Sequence, residues 1–82
     1  MRRRAGWMTQ LDDEVLELLD SSGLVLSPSI IAYNLDRTRE GVSQRLSLLV
    51  EHGLVVRVER GKYQITTEGE QYLAGELDAD KL

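Results

Sequence analysis

The stretch "SPSIIAYNLDRTREGVSQRLSLLVEHGLV", Ser27 to Val55, decides the fold, because it holds two helix starts and two helix stops in close succession. Ser27 followed by Pro28 reads as a cap and a first helical residue. The serine oxygen can accept from an orphan amide, and proline lacks the N–H that the first turn leaves unpaired. This helix runs through Leu35 and breaks at "NLDRT". Thr38 then caps a second helix in which Val42, Leu46, Leu49 and Val50 recur at helical spacing, and Gly53 closes it where a left-handed residue is wanted.

Upstream, Thr9 caps a helix whose Asp12, Asp13 and Glu14 suit the positive end of its dipole, with Leu11, Val15, Leu18 and Leu19 as its apolar stripe. Ser21, Ser22 and Gly23 end it, and "LVL" at Leu24 to Leu26 is long enough only for a small strand. Downstream, "LVVRVERGKYQIT" alternates: Leu54, Val56 and Val58 point one way and Val55, Arg57 and Glu59 the other, before Gly61 breaks the run. That pattern predicts a hairpin with a basic tip. Thr67 and Glu70 form a capping-box pattern for a last helix carrying Tyr72, Leu73 and Leu77.

The order helix, short strand, helix, turn, helix, hairpin, helix is an α+β arrangement, mainly α, and specifically that of a winged helix-turn-helix. Residues 1–8 are expected to form a basic arm, disordered in the free protein or reaching a DNA minor groove. Residues 9–78 form the domain and 79–82 a tail.

Composition narrows the function. With 82 residues and no cysteine, the chain has room for one domain and no thiolate chemistry. His52 is the sole histidine and has no partner for catalysis or metal binding, so a dipole role at its helix end explains it. The adjacent Asp12, Asp13 and Glu14 do not face one another as an acid pair would. No enzyme, cofactor or metal is expected. No apolar run is long enough for a membrane span, and "MRRRAGWM" lacks the apolar stretch of a signal peptide, so the chain reads as cytoplasmic.

A net charge of -4 argues against binding a polyanion until it is resolved along the chain. Residues 1–10 carry +3, 11–36 carry -6, 37–63 carry +3 and the remainder -4. Attraction to phosphate is local, so the positive stretch from Arg37 to Lys62 outweighs the total. Eight arginines against two lysines, with many acids, also fit a protein adapted to high salt.

Two quoted stretches carry a family resemblance. "SPSIIAYNL" followed by "TREGVSQRLSLLVEHGLV" resembles the helix-turn-helix of archaeal winged-helix regulators, through Ile31-Ala32, Val42, Arg45-Leu46 and Gly53-Leu54. With "GKYQITTEGEQYLAGELDADKL", the chain after Trp7 is similar to the haloarchaeal phage-repressor-like (phi-H repressor-like) family. The resemblance implies a sequence-specific regulator of transcription, often dimeric and without enzymatic activity, that binds double-stranded DNA.

In such a fold the Thr38 helix, residues 38–52, enters the major groove and the hairpin tip, residues 57–62, touches adjacent backbone or minor groove. Glu40, Gln44 and Ser47 then lie opposite the buried stripe, and Gly41 toward the outer side. Gln44 can pair with adenine, Thr38 and Ser43 can bond phosphates or bases, and Arg39 and Arg45 flank the face. Glu40 would accept from cytosine or pair with an arginine. Arg57, Arg60 and Lys62 supply phosphate contacts at the hairpin tip.

Trp7 is expected to stack on a base or, as is commoner near a terminus, to anchor the arm by packing against the first helix or a partner subunit, and Tyr72, Leu73 and Leu77 to complete the core or a homodimer. The competing expectation is a winged helix used as a protein-interaction module, its acidic first helix recognising a basic partner. The two diverge on Arg45→Ala and Gln44→Ala, which weaken DNA binding only under the first.

Overall fold

The computed structural model describes residues 2–81. Its elements are α1 (Gln10–Ser22), α2 (Pro28–Leu35), α3 (Arg39–Glu51), β1 (Val55–Glu59), β2 (Lys62–Ile65), α4 (Thr67–Leu73) and a final 3-10 turn (Ala79–Lys81). The local signals place most boundaries. Thr9 caps α1, its N–H donating to Asp12 Oδ2 at 2.7 Å, and Gly23 ends the helix at φ 65°. Ser27 accepts from the Ile30 amide, and Thr38 from the Gly41 amide at 3.1 Å. Gly53 closes the α3 end at φ 78°.

β1 and β2 pair antiparallel, Val55 opposite Ile65 and Arg57 opposite Tyr63, with an irregularity between Arg57 and Glu59. "LVL" contributes one bridge rather than a strand: Leu26 and Tyr63 exchange two backbone hydrogen bonds of 2.9 Å. The Ser27 cap of α2 follows at once and leaves no length for more. Around this frame the core gathers Val15, Leu16 and Leu19 from α1, Ile31 and Ala32 from α2, Val42, Leu46 and Leu49 from α3, and Leu54, Val55 and Tyr72. Ala5, Met8 and Ala79 close it from the two ends of the chain.

Several expectations need correction. The hairpin buries Val55, while Val56 and Val58 are 43% and 52% exposed, so the buried Leu54 does not share their face as the alternation predicted. Leu54 still belongs to the helix cap, its N–H bonded to the Leu49 carbonyl, so strand alternation starts one residue later than Leu54 suggests. Leu16 is fully buried although it lay outside the expected α1 stripe, whereas Leu11 and Leu18 are only partly buried.

The cap of α4 is Thr66, not Thr67. Its hydroxyl accepts from the Gly69 amide at 3.0 Å and donates to the Gly53 carbonyl at 2.7 Å, tying the α4 start to the α3 end. The helix stops at Leu73, with Gly75 at φ 78° turning the chain away, so Leu77 packs on the core from an irregular segment. Within α4, Gly69 leaves no room for a side chain: a Cβ there would collide with the Leu54 carbonyl oxygen and lie 2.6 Å from Ile65 Cγ1.

The expected free arm and tail are docked instead, although Met1 and Leu82 lie outside the described residues. Arg2 reaches Glu17 at 2.6 Å, Arg4 reaches Asp13 at 2.8 Å, and Ala5 and Met8 are buried. The Gly6 amide donates to Asp80 Oδ1 at 3.1 Å, and Ala79 beside it is 1% exposed. Carboxylates on α1 give the arm's arginines nearer partners than a distant polyanion could, which is why a basic terminal segment folds back here.

Tyr72 joins this end closure, its buried hydroxyl donating to Asp13 Oδ1 at 2.6 Å. Burial, then the hydrogen bond to the Asp13 carboxylate, push the phenol well above its ordinary value. The protonated phenol is favoured by the folded state, so this stabilisation is complete below pH ~10 and fades as alkali deprotonates the unfolded chain first. Tyr72→Phe is expected to cost about 1–2 kcal/mol in urea unfolding at pH 7. The gap between the variant and the parent should narrow at pH 10.5 and above.

Candidate nucleic-acid interface

The surface of α3 follows from its burial pattern. With Val42, Leu46 and Leu49 at 0% exposure, Arg39, Glu40, Gln44 and Ser47 are left on the outside. Arg39, Glu40, Ser43 and Gln44 line a shallow concavity there, and none of these side chains makes an ion pair among the described residues. The Ser47 hydroxyl donates back to the Ser43 carbonyl at 3.2 Å. Thr38 caps the α3 N-terminus by accepting the Gly41 amide, and the positive end of the helix dipole lies beside Arg39 and Glu40.

At the hairpin, Arg57 and Arg60 are exposed and without an ion pair among the described residues. Lys62 instead meets Glu59 across the turn at 2.8 Å. Their mutual hydrogen bond, with the charge attraction behind it, lowers the Glu59 carboxyl and raises the Lys62 amine. Both groups are solvated, so the pair orients the tip rather than stabilising it.

Two residues leave the expected surface. Arg45 turns inward: its Nε and Nη2 donate to the Asp12 carboxylate at 2.9 and 2.8 Å, and Nη2 also donates to the Trp7 carbonyl at 3.0 Å. A wholly buried carboxylate one helix away is a stronger attractor than solvent, and no helical wheel of α3 contains it. Gly41 also faces inward, since a Cβ there would lie 2.9 Å from Thr38 Oγ1 and 3.9 Å from Leu11 Cδ2. Its lack of a side chain serves the helix cap and the α1 contact rather than an outer approach.

Sequence reasoning missed Asp12 as the partner that fixes α3, although its place three residues after the Thr9 cap was visible. It also missed the stack of Trp7 on His52, with ring centroids 4.0 Å apart and planes at 12°. These contacts belong to a wider pattern along α1. Asp12 meets Arg45, Asp13 meets Arg4, Glu14 meets Arg37 at 2.9 Å and Glu17 meets Arg2. Four of the five acids of the first helix are thus matched within the fold, Asp20 being the exception among the described residues.

Three mutually packed helices, a two-stranded wing, and a polar outer face on α3, the second helix of the helix-turn-helix, define the winged helix-turn-helix class. Comparison with known proteins makes the assignment narrower. The family described as "Winged helix-turn-helix phage repressor" matches residues 1–82, and the chain belongs to that family. It is 41% identical, over all of its length and 97% of the relative's, to the repressor protein of Halobacterium phage phiH.

Solved structures agree. The crystal structure of the PhiH1 repressor-like protein from Haloarcula marismortui superposes with a TM-score of 0.88 at 40% identity, covering 99% of this chain and 93% of that one. A candidate transcriptional regulator from Pseudomonas aeruginosa gives a TM-score of 0.73 at 28% identity, over 79% of this chain and 47% of its own.

Proposed function

We propose that this protein binds double-stranded DNA as a small transcriptional repressor, with α3 in the major groove and the β1–β2 tip on adjacent backbone or minor groove. The observation that carries the reading is the outer face of α3. Gln44 and Arg39 stand exposed there beside the Thr38-capped first turn of the helix, with no partner in their own fold among the described residues. Gln44 offers the donor and acceptor that match adenine, Arg39 reaches guanine or phosphate, and Thr38 and Ser43 bond the backbone. Arg57, Arg60 and Lys62 add the electrostatic, sequence-independent share.

Family membership supports the regulator role, and the relatives' description as repressors supports the direction of control. No catalytic or cofactor chemistry enters this reading. No helix among the described residues is long and apolar enough to cross a membrane. A homodimer would use Leu73 and Leu77, which stay partly exposed, since Tyr72 is taken up by the monomer core. The interaction-module reading loses its main motive, because Asp12, Asp13, Glu14 and Glu17 of α1 already have arginine partners, which leaves only Asp20 of that helix without one among the described residues.

Amide shifts recorded during titration with a mixed-sequence duplex are expected to concentrate in residues 38–47 and 57–62. Silence there, with responses confined to α1 or α4 when a protein partner is added, would sink the reading. Once a preferred site has been selected, Gln44→Ala should weaken binding to it by about 1–3 kcal/mol and relax preference at one base pair. Arg57→Ala with Arg60→Ala should weaken binding to all sequences alike and flatten the log-salt slope by about 2.

A further inference from the structure

The inward turn of Arg45 adds a role for residues that never face DNA. We infer that the segment from Trp7 to Asp12 is a brace that sets the orientation of α3, and that Asp12, Arg45 and the Trp7–His52 stack therefore govern DNA sequence discrimination from inside the fold. This rests on the DNA-binding reading above.

The brace holds α3 at two heights. In the middle of the helix, Arg45 makes three hydrogen bonds, two to the Asp12 carboxylate and one to the Trp7 carbonyl. At its C-terminal end, His52 stacks on the Trp7 ring. Trp7 thus touches the helix through its backbone at one point and its side chain at the other, and the two points lie seven residues apart on α3. A helix fixed at two heights cannot roll or tilt freely against α1.

Apolar contacts alone do not impose this. Val42, Leu46 and Leu49 bury a stripe whose contacts are not directional, and helix pairs packed by such stripes scatter by about 15–20° around their preferred angles. A planar guanidinium bonded by two nitrogens to one carboxylate tolerates far less, because its bonds are directional. A buried ion pair is often no more stabilising than an apolar replacement, and fixing one register among near-equal packings is its best-attested use.

Asp12 is suited to that use because it is anchored on its own side. One oxygen accepts the Thr9 amide at 2.7 Å, so the carboxylate is aligned by the α1 cap before Arg45 arrives. The outer residues of α3 must meet base edges within a few tenths of an ångström, so a roll of about 10° at their radius is enough to spoil a paired contact while leaving phosphate attraction intact.

These residues are positioning residues, and the test separates that role from plain stability. In the double variant Asp12→Asn/Arg45→Met, the asparagine amide retains an acceptor for the Thr9 N–H and the methionine fills the space of the arginine stem. Affinity for a site selected with the parent protein, and for a scrambled duplex of equal length, is measured well below the unfolding temperature. The expected result is a tenfold or greater fall for the selected site with less than a twofold change for the scrambled one. Trp7→Leu, which keeps the ion pair and removes the stack, should give a smaller fall with the same pattern.

Equal losses on both duplexes would overturn the proposal by showing direct phosphate contact, and unchanged affinity for both would overturn it by showing a purely structural pair. If the double variant does not fold, Arg45→Lys and Trp7→Leu carry the same comparison. Residual dipolar couplings of the free proteins add a reading that needs no DNA. The α3 axis or roll should shift relative to α1 by several degrees, and an unmoved helix would overturn the brace. Failure of the DNA-binding reading looks different, since the parent itself would then show no preference between duplexes.

Discussion

Gly69→Ala is expected to destabilise the domain by about 3 kcal/mol, a large part of the stability a domain of this size carries. The new methyl group would collide with the Leu54 carbonyl oxygen and meet Ile65 Cγ1 at 2.6 Å. Ile65 can rotate away, but the Leu54 oxygen is backbone and already accepts the Thr66 amide at 3.2 Å. Relief therefore requires α4 to lift off the β1 start, which exposes Tyr72 and breaks the Thr66 link to Gly53. Urea unfolding should show a lower midpoint with an unchanged slope. A midpoint equal to the parent's would mean that α4 is not seated on Leu54.

The second large effect belongs to Asp12. Asp12→Ala leaves the Arg45 guanidinium, whose side chain is 19% exposed, without its carboxylate and removes the acceptor of the Thr9 amide. Stranding one member of a buried ion pair typically costs 3–5 kcal/mol, so a loss of about 3 kcal/mol is expected, with Arg45 escaping partly to water. Thermal unfolding checks it, and Asp12→Asn, which retains an acceptor, should lose less. The reciprocal Arg45→Ala strands the Asp12 carboxylate in the same way. A loss of DNA binding in that variant would therefore report the fold, and Gln44→Ala is the cleaner probe of the surface.

Local chemistry made the architecture readable. Ser27 with Pro28, Thr38 and Gly53 act through their own amides and φ angles, so the ends of α2 and α3 were visible without tertiary knowledge. Where two local signals competed, tertiary contact decided. Thr66 and Thr67 are both able to cap α4, and Thr66 prevails because its hydroxyl also reaches the Gly53 carbonyl. Periodicity placed Glu40, Gln44 and Ser47 outward, as found, but it assigns only a direction. Arg45 sits at the flank of that wheel, and its choice between solvent and core was made by a carboxylate 33 residues away.

The same limit explains the arm. Three consecutive arginines read as a free basic tail until the spacing of Asp13 and Glu17 on α1 puts both acids beside it. The pairing also gives the arginine bias a structural share. Arg2, Arg4, Arg37 and Arg45 all bind carboxylates on one helix, with Arg4, Arg37 and Arg45 each using two nitrogens. At ~1 M salt the screening length is about 3 Å, so contacts at hydrogen-bond distance survive where long-range attraction does not. Lysine, a hydrated point charge, would not supply the same fork.

The contacts that join the two ends of the chain bear on how quickly the molecule opens and closes. Gly6 to Asp80 and Asp13 to Tyr72 link residues 74 and 59 positions apart, whereas the α2–α3 pair and the hairpin assemble from near neighbours. Closing the longer loops costs more chain entropy and is favoured only after the local parts have formed. Bonds made after the barrier do little for the rate of folding and act on the rate of unfolding. The docked ends would then work as a late-closing fastener, lengthening the lifetime of the folded state more than they hasten its formation.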